Sequence, residues 1–208
     1  LDGVYQTRAG KLHCTAVRLR NGGFCLYSPV AGLEKNSDDL FSDPAAVSVL
    51  FAPNHYHNKS LNGHAKAFPN AALVCSATAK PRLNKITGLV FEPLATLSSQ
   101  LNDNQSLLEP EGLKTGEIWI QVETDSDVTW IVTDAFSAAL HPPGNDAKEP
   151  TMLKTFLRYG VKDAAVFKEW VNDRIAIARP TILLSCHGSP VRSPELGALL
   201  TGLLATTL

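Results

Sequence analysis

A short apolar run, Ala46 to Ala52 (AVSVLFA), breaks off into the densest polar cluster of the chain, and this junction constrains the fold more than any other feature. A nearly continuous apolar stretch of that length suits a strand buried on both faces. Pro53-Asn54 ends it, and His55-Tyr56-His57-Asn58-Lys59-Ser60 follows at once. Ser60 is placed to cap a helix running through Ala67, and Ala71 to Cys75 reads as another buried strand. Strand, polar loop, helix and strand in that order form a βαβ unit. Its loop lies at the carboxyl end of a strand, where open α/β sheets place their ligand sites.

The flanking segments add strands and helices to that unit. Lys11 to Leu19 and Phe24 to Tyr27 are rich in β-formers on either side of Asn21-Gly22-Gly23, a hairpin signal. Ser28-Pro29 ends the second strand, and Ser37 to Phe41 reads as a short helix capped by Ser37. From Asn84 to Gln105 the periodicity is weak, with Leu89 to Phe91 expected as a strand and Ser98 to Ser106 as loop. Glu117 to Glu123 (EIWIQVE) alternates like a half-buried strand, Asp125-Ser126-Asp127 turns the chain, and Val128 to Val132 returns it to Thr133-Asp134. A loop at His141 to Asp146 follows. Val161 to Ala178 reads as a helix whose apolar face is Val166, Phe167, Trp170, Val171 and Ile175. Thr181 to Ser185 is a buried strand ending at Cys186-His187-Gly188. Ser193-Pro194 opens a last helix, with Leu196, Leu199, Leu200, Leu203 and Leu204 as its stripe. No repeat and no linker composition interrupts residues 1–208, so one domain is expected.

Charge and cysteine usage narrow the partners. With 19 Lys+Arg against 20 Asp+Glu and a net charge of -1 in 208 residues, a nucleic-acid binder with a broad basic face is not expected. No apolar run is long enough to span a membrane, and Leu1 to Gly10 carries no basic-then-apolar leader. Cys14, Cys25, Cys75 and Cys186 form no C-x-x-C pair, so reduced thiols in a cytoplasmic protein are expected. A Cys14–Cys25 bridge stays open, because the two lie in consecutive strands. The expected partner is a small-molecule substrate or anion; the sequence is silent on oligomeric state.

Three of the expected strands end in side chains that bind metals: His55 and His57 after the first, Asp134 after Val128 to Val132, and His187 after Thr181 to Ser185. Side by side, those ends would gather imidazole and carboxylate on one rim, the donors that zinc or iron takes. Residues two apart in an extended segment point the same way, so His55 and His57 would grip one ion together. Each feature alone also reads as ordinary polar loop; their shared position after buried strands is what sets them apart.

In these residues the chain resembles the metallo-β-lactamase superfamily, whose H-x-H-x-D-H signature matches His55-Tyr56-His57-Asn58-Lys59-Ser60. The third motif is matched by Gly112-Leu113-Lys114-Thr115-Gly116, the bridging aspartate by Asp134 and the late H-G turn by His187-Gly188. Pro53-Asn54-His55-Tyr56-His57 is similar to a short branch of the superfamily with a P-N-x-x-H segment. The resemblance implies a mixed α/β (α+β) fold, a four-layer αββα sandwich. Its departures imply an eroded binuclear site: Lys59 replaces the aspartate, Ser60 the next histidine, and Leu113 the third-motif histidine. At most one metal, a zinc (or iron or manganese), is then implied, held by some of His55, His57, Asp134 and His187. The implied activity is hydrolysis of an ester, thioester, lactone or phosphoester through metal-activated water, with Lys59 and Ser60 shaping or polarising the pocket. The alternative is a metal-free, non-catalytic small-anion binder on the same fold, with the Lys59 ammonium filling the second-metal position beside Asp134. Of the remaining candidates, His64 is expected at the surface, His141 as a cover over the site, His13 and Cys186 as structural, and Trp119, Trp130 and Trp170 as core.

Overall fold

A computed structural model describes residues 2–33 and 43–208. The helix expected at Ser37 to Phe41 lies outside the described residues. The chain divides into two compact units, Leu1–Asp103 and Asn104–Leu208.

In the first unit β1 (Val4–Ala9), β2 (Leu12–Arg18), β3 (Phe24–Tyr27), β4 (Val47–Ala52) and β5 (Ala72–Cys75) lie in chain order in one sheet. The pairs β1–β2 and β2–β3 are antiparallel, whereas β3–β4 and β4–β5 are parallel. Connection length decides this: a tight hairpin reverses the chain, and parallel neighbours need a long crossover. The β2–β3 hairpin turns at Gly22, whose φ of 85° suits glycine, and the Asn21 side chain accepts the Gly23 N–H at 2.9 Å. The crossover from β4 to β5 carries α1 (Leu61–Ala67), the expected βαβ unit. After β5 come α2 (Lys80–Thr87) and α3 (Leu94–Ser98). Ala52, Leu61, Cys75, Ala79, Leu83 and Phe91 form one buried cluster, and Cys14, Ala16, Phe24, Leu26, Val47, Leu50 and Phe68 belong to another.

The register also settles the thiols. Ala16 sits opposite Leu26 and Val17 opposite Cys25, so Cys14 and Cys25 face opposite sides of the sheet. All four cysteines are free and buried, and burial pushes the Cys14 thiol up to about 12.

The second unit starts with β6 (Gln105–Leu108), β7 (Trp119–Glu123) and β8 (Val128–Val132), then a small pair, β9 (Ser137–Ala138) and β10 (Pro150–Thr151). Helices α4 (Lys154–Tyr159) and α5 (Ala164–Ile177) precede β11 (Ile182–Ser185), β12 (Val191–Arg192) and α6 (Leu196–Thr207). Its sheet runs β12-β11-β8-β7-β6, with β8 and β11 parallel neighbours. Its core is aromatic: the Trp119 ring lies 5.3 Å from both Trp130 and Trp170 and 5.6 Å from Phe136. The indoles of Trp119 and Trp130 donate their N–H groups to Glu117 and Gln121.

Several sequence expectations change. Residues 89–91 form no strand; Phe91 packs in the cluster that includes Cys75 of β5, and the next residue, Glu92, bridges Val74, while β6 replaces part of an expected loop. β1 and α4 were not expected at all. Val166 is exposed, because Phe167, Trp170 and Val171 take the buried face of α5. The last helix starts at Leu196 with Glu195 at the cap, two residues beyond Ser193. His64 is fully buried rather than superficial, sharing the inward face of α1 with Leu61. Among the described residues no helix is long and apolar enough to cross a membrane.

Candidate metal site

Parallel pairing of β8 with β11 sets Ser185 beside Val132, so the residues just beyond both strands emerge at one sheet end. There His187 Nε2 lies 2.9 Å from Asp134 Oδ1, with both side chains partly exposed. Behind this pair stands Glu117, a fully buried carboxylate just ahead of β7. It accepts the Trp119 indole N–H at 2.9 Å and three successive backbone N–H groups, those of Thr133 (3.3 Å), Asp134 (3.3 Å) and Ala135 (3.2 Å). Burial and the nearby Asp134 carboxylate push the Glu117 carboxyl above its ordinary range, and the donors from Trp119, Thr133 and Ala135 pull it back in part.

Ser185 holds the same turn from the other side. Its buried hydroxyl donates to the Phe136 carbonyl at 2.6 Å and accepts the His187 N–H at 3.0 Å. Gly188 then bends the chain at φ 110°, and a Cβ there would stand 2.1 Å from the Ala138 carbonyl oxygen. That close approach lets the Ala138 N–H reach the His187 carbonyl at 3.0 Å. The His141 N–H donates to Ser189 Oγ at 2.8 Å, tying the loop that holds His141 to the same turn.

In the first unit the loop after β4 is organised by Asn54, whose buried side-chain oxygen accepts the N–H groups of Tyr56 (2.8 Å) and His57 (3.3 Å). This is an Asx turn. The segment is therefore not extended, and the alternation argument for His55 and His57 does not apply to it. His57 Nδ1 lies 2.6 Å from the hydroxyl of Ser28, a buried residue at φ 57° whose own N–H donates to the Phe51 carbonyl. That contact commits Nδ1, so an ion bound by His57 would meet Nε2. The His55 ring stands edge-on to Tyr56 at 4.4 Å, and its carbonyl accepts Asn58 Nδ2. Lys59 is exposed and, among the described residues, joins no ion pair. Ser60 makes no side-chain cap; its carbonyl instead accepts the His64 N–H and lies 2.9 Å from His64 Nδ1. Leu113, at the third-motif position, packs on the aromatic core of the second unit and supplies no donor atom.

The strands expected to lie side by side do so for β8 and β11, while β4 belongs to the other sheet. Sequence reading missed Ser28, Asn54, Glu117 and Ser185, all of which orient a candidate ligand or its backbone. Glu117 had a signal: a lone carboxylate directly before the buried run of β7.

Comparison with solved structures shows a metallo-β-lactamase-like fold. A metallo-beta-lactamase from Pontibacter korlensis matches at TM-score 0.57 and 9% identity, covering 98% of this chain and 94% of that one. A putative diflavin flavoprotein fragment from Nostoc sp. PCC 7120 matches at TM-score 0.63 and 15% identity, covering 94% and 81%. A mutant flavo di-iron protein from Thermotoga maritima matches at TM-score 0.61 and 15% identity over 93% of this chain. This chain spans 53% of that protein's length. No family model matches the sequence. No curated protein matches it either.

Proposed function

We propose that the protein is a single-metal hydrolase on the metallo-β-lactamase-like fold. The observation that carries the reading is the Asp134–His187 pair at the ends of two adjacent parallel strands, braced by buried Glu117 and Ser185. The donors suit a metal: one carboxylate and imidazole nitrogens, with outer hydrogen bonds orienting their surroundings. Asp134, His187 and His57 are the proposed ligands, and His55 the further candidate. A bound zinc, iron or manganese ion would supply Lewis acidity toward an acyl or phosphoryl group and acidify the attacking water.

The chain's own residues have defined work in this scheme. Glu117 fixes the backbone of 133–135 and so the direction of Asp134. Ser185 and Gly188 fix the backbone of His187. Ser28 sets which nitrogen of His57 faces a ligand. Lys59 is an exposed cation on the same loop as His57, suited to meeting a negative group on the substrate. The substrates proposed are an ester, thioester, lactone or phosphoester.

Elemental analysis of protein purified without added metal tests the reading. About one equivalent of zinc, iron or manganese is expected, reduced to background in Asp134→Ala and His187→Ala and lowered in His57→Ala. Protein that stays folded, takes up no metal on dialysis against zinc and shows no difference among these variants would overturn it and favour a metal-free anion binder.

A further inference from the structure

A chain that is nearly neutral overall contains a long segment of one sign. Between Asp43 and Glu92 every charged residue is basic: Lys59, Lys66, Lys80, Arg82 and Lys85. That segment is the βαβ unit and the helix after it. Because β4 and β5 are parallel, with Ala52 opposite Cys75, the loops leaving both strands emerge at the same sheet end. One loop carries His55 to Ser60; the other runs straight into α2 with Lys80 and Arg82. The two are joined in space: the Arg82 guanidinium lies over the Tyr56 ring, 5.0 Å from its centre, and Tyr56 stands between His55 and His57. Arg82 and Lys85 are exposed and one turn apart on α2. The Lys80 ammonium is close enough to the end of β5 to counter part of the rise that burial imposes on the Cys75 thiol. Among the described residues, none of these five cations is in an ion pair.

Like charges gathered without counter-ions repel one another, and a bound anion relieves that repulsion. An arginine held over an aromatic ring is also restrained, and its fork of N–H donors suits a planar or tetrahedral oxyanion. We propose that Arg82, held over Tyr56, with Lys59, Lys80 and Lys85 on the two loops and the helix at the same sheet end, binds a phosphoryl or carboxylate group that the substrate carries apart from the bond being hydrolysed. The reacting bond is located by the metal-site reading above; the anion subsite lies wholly within the first unit and binds with or without metal.

The test is calorimetric titration of the metal-stripped full chain with inorganic pyrophosphate and, separately, with malonate, at low and at moderate salt. Saturable binding of one or both that weakens with salt is expected, and the tighter probe identifies the group. Arg82→Glu should weaken it about tenfold or more, and Arg82→Gln by roughly threefold to tenfold. Lys148→Glu, an exposed control with the same change in net charge in the second unit, should alter it less than about twofold. Circular dichroism of each variant confirms the fold. Binding of neither probe, or equal losses in Arg82→Glu and Lys148→Glu, would overturn the subsite. The metal reading is judged separately: Arg82→Glu should keep the metal content of the unaltered protein, whereas Asp134→Ala should lose metal and still bind the probe.

Discussion

In the second unit Asp134 and His187 are held by groups from distant parts of the chain, with Glu117 gathering three backbone N–H groups and Ser185 tying β11 to the turn after β8. In the first unit the His57 N–H meets the Asn54 side chain three residues upstream, and its Nδ1 lies beside the hydroxyl of Ser28. The contrast shows two ways of positioning a donor. A buried carboxylate serving as a hub makes ligand geometry inseparable from folding. A local turn and an outer hydrogen bond let the imidazole be tuned with little effect on the fold. Substitutions at the two places should therefore differ in whether stability and metal affinity move together.

The largest effect is expected at the hub. Glu117→Ala leaves the buried indole N–H of Trp119 and three backbone N–H groups without their acceptor. One lost buried partner costs about 1–3 kcal/mol, and four donors lose theirs at once here. Urea denaturation should show a loss of at least that upper size, together with loss of metal. Glu117→Gln is the sharper probe, because its amide keeps one acceptor oxygen but turns an N–H donor toward other donors. Its expected loss is intermediate. A Glu117→Ala variant as stable as the parent would remove the carboxylate from the account of the second unit.

Gly188→Ala should come next. The residue sits at φ 110°, and the added methyl would meet the Ala138 carbonyl oxygen at 2.1 Å. Since that neighbour is backbone, either β9 or the His187 turn must shift, at a cost of roughly 2–4 kcal/mol. Metal content should fall with stability, as at Glu117. Retained metal in a destabilised variant would separate the turn from the site and weaken the coupling drawn for this unit.

The same contrast explains what the sequence disclosed. The βαβ unit around His55 and the strand leading to Asp134 were legible because burial on two faces leaves an apolar run, and the loop after it has to be polar. The strand leading to His187 was legible for the same reason. The stretch from 84 to 105 was not, since α3 is only five residues long and residues 89–91 form no strand. Neither leaves a periodic signal. Glu117 and Ser185 were hidden for a different reason: their role is defined by hydrogen bonds to backbone many residues away, which no local spacing encodes. The His-x-His pair misled through its backbone, where Asn54 turns a segment that alternation would have kept straight.

The smallest effect on stability, and the sharpest test of the contrast, belongs to Ser28. A non-glycine residue at φ 57° carries strain of about 1–2 kcal/mol. Ser28→Gly relieves that strain, loses the hydroxyl contact to His57 and adds backbone freedom to the unfolded chain, so the net change should stay within about 1 kcal/mol. Ser28→Ala keeps the strain while losing the hydroxyl, and should cost about 1–2 kcal/mol. Both variants remove the Ser28 hydroxyl from Nδ1 of His57, and loss of an outer-sphere partner of this kind weakens metal binding roughly 10- to 100-fold. Zinc titration against a competing chelator, run beside urea denaturation, reads both quantities. In Ser28→Gly affinity should fall while stability holds, the reverse of the coupled loss expected at Glu117. Unchanged zinc affinity in both Ser28 variants would mean that His57 is not oriented through this hydroxyl, and the contrast between the units would then rest on the second unit alone.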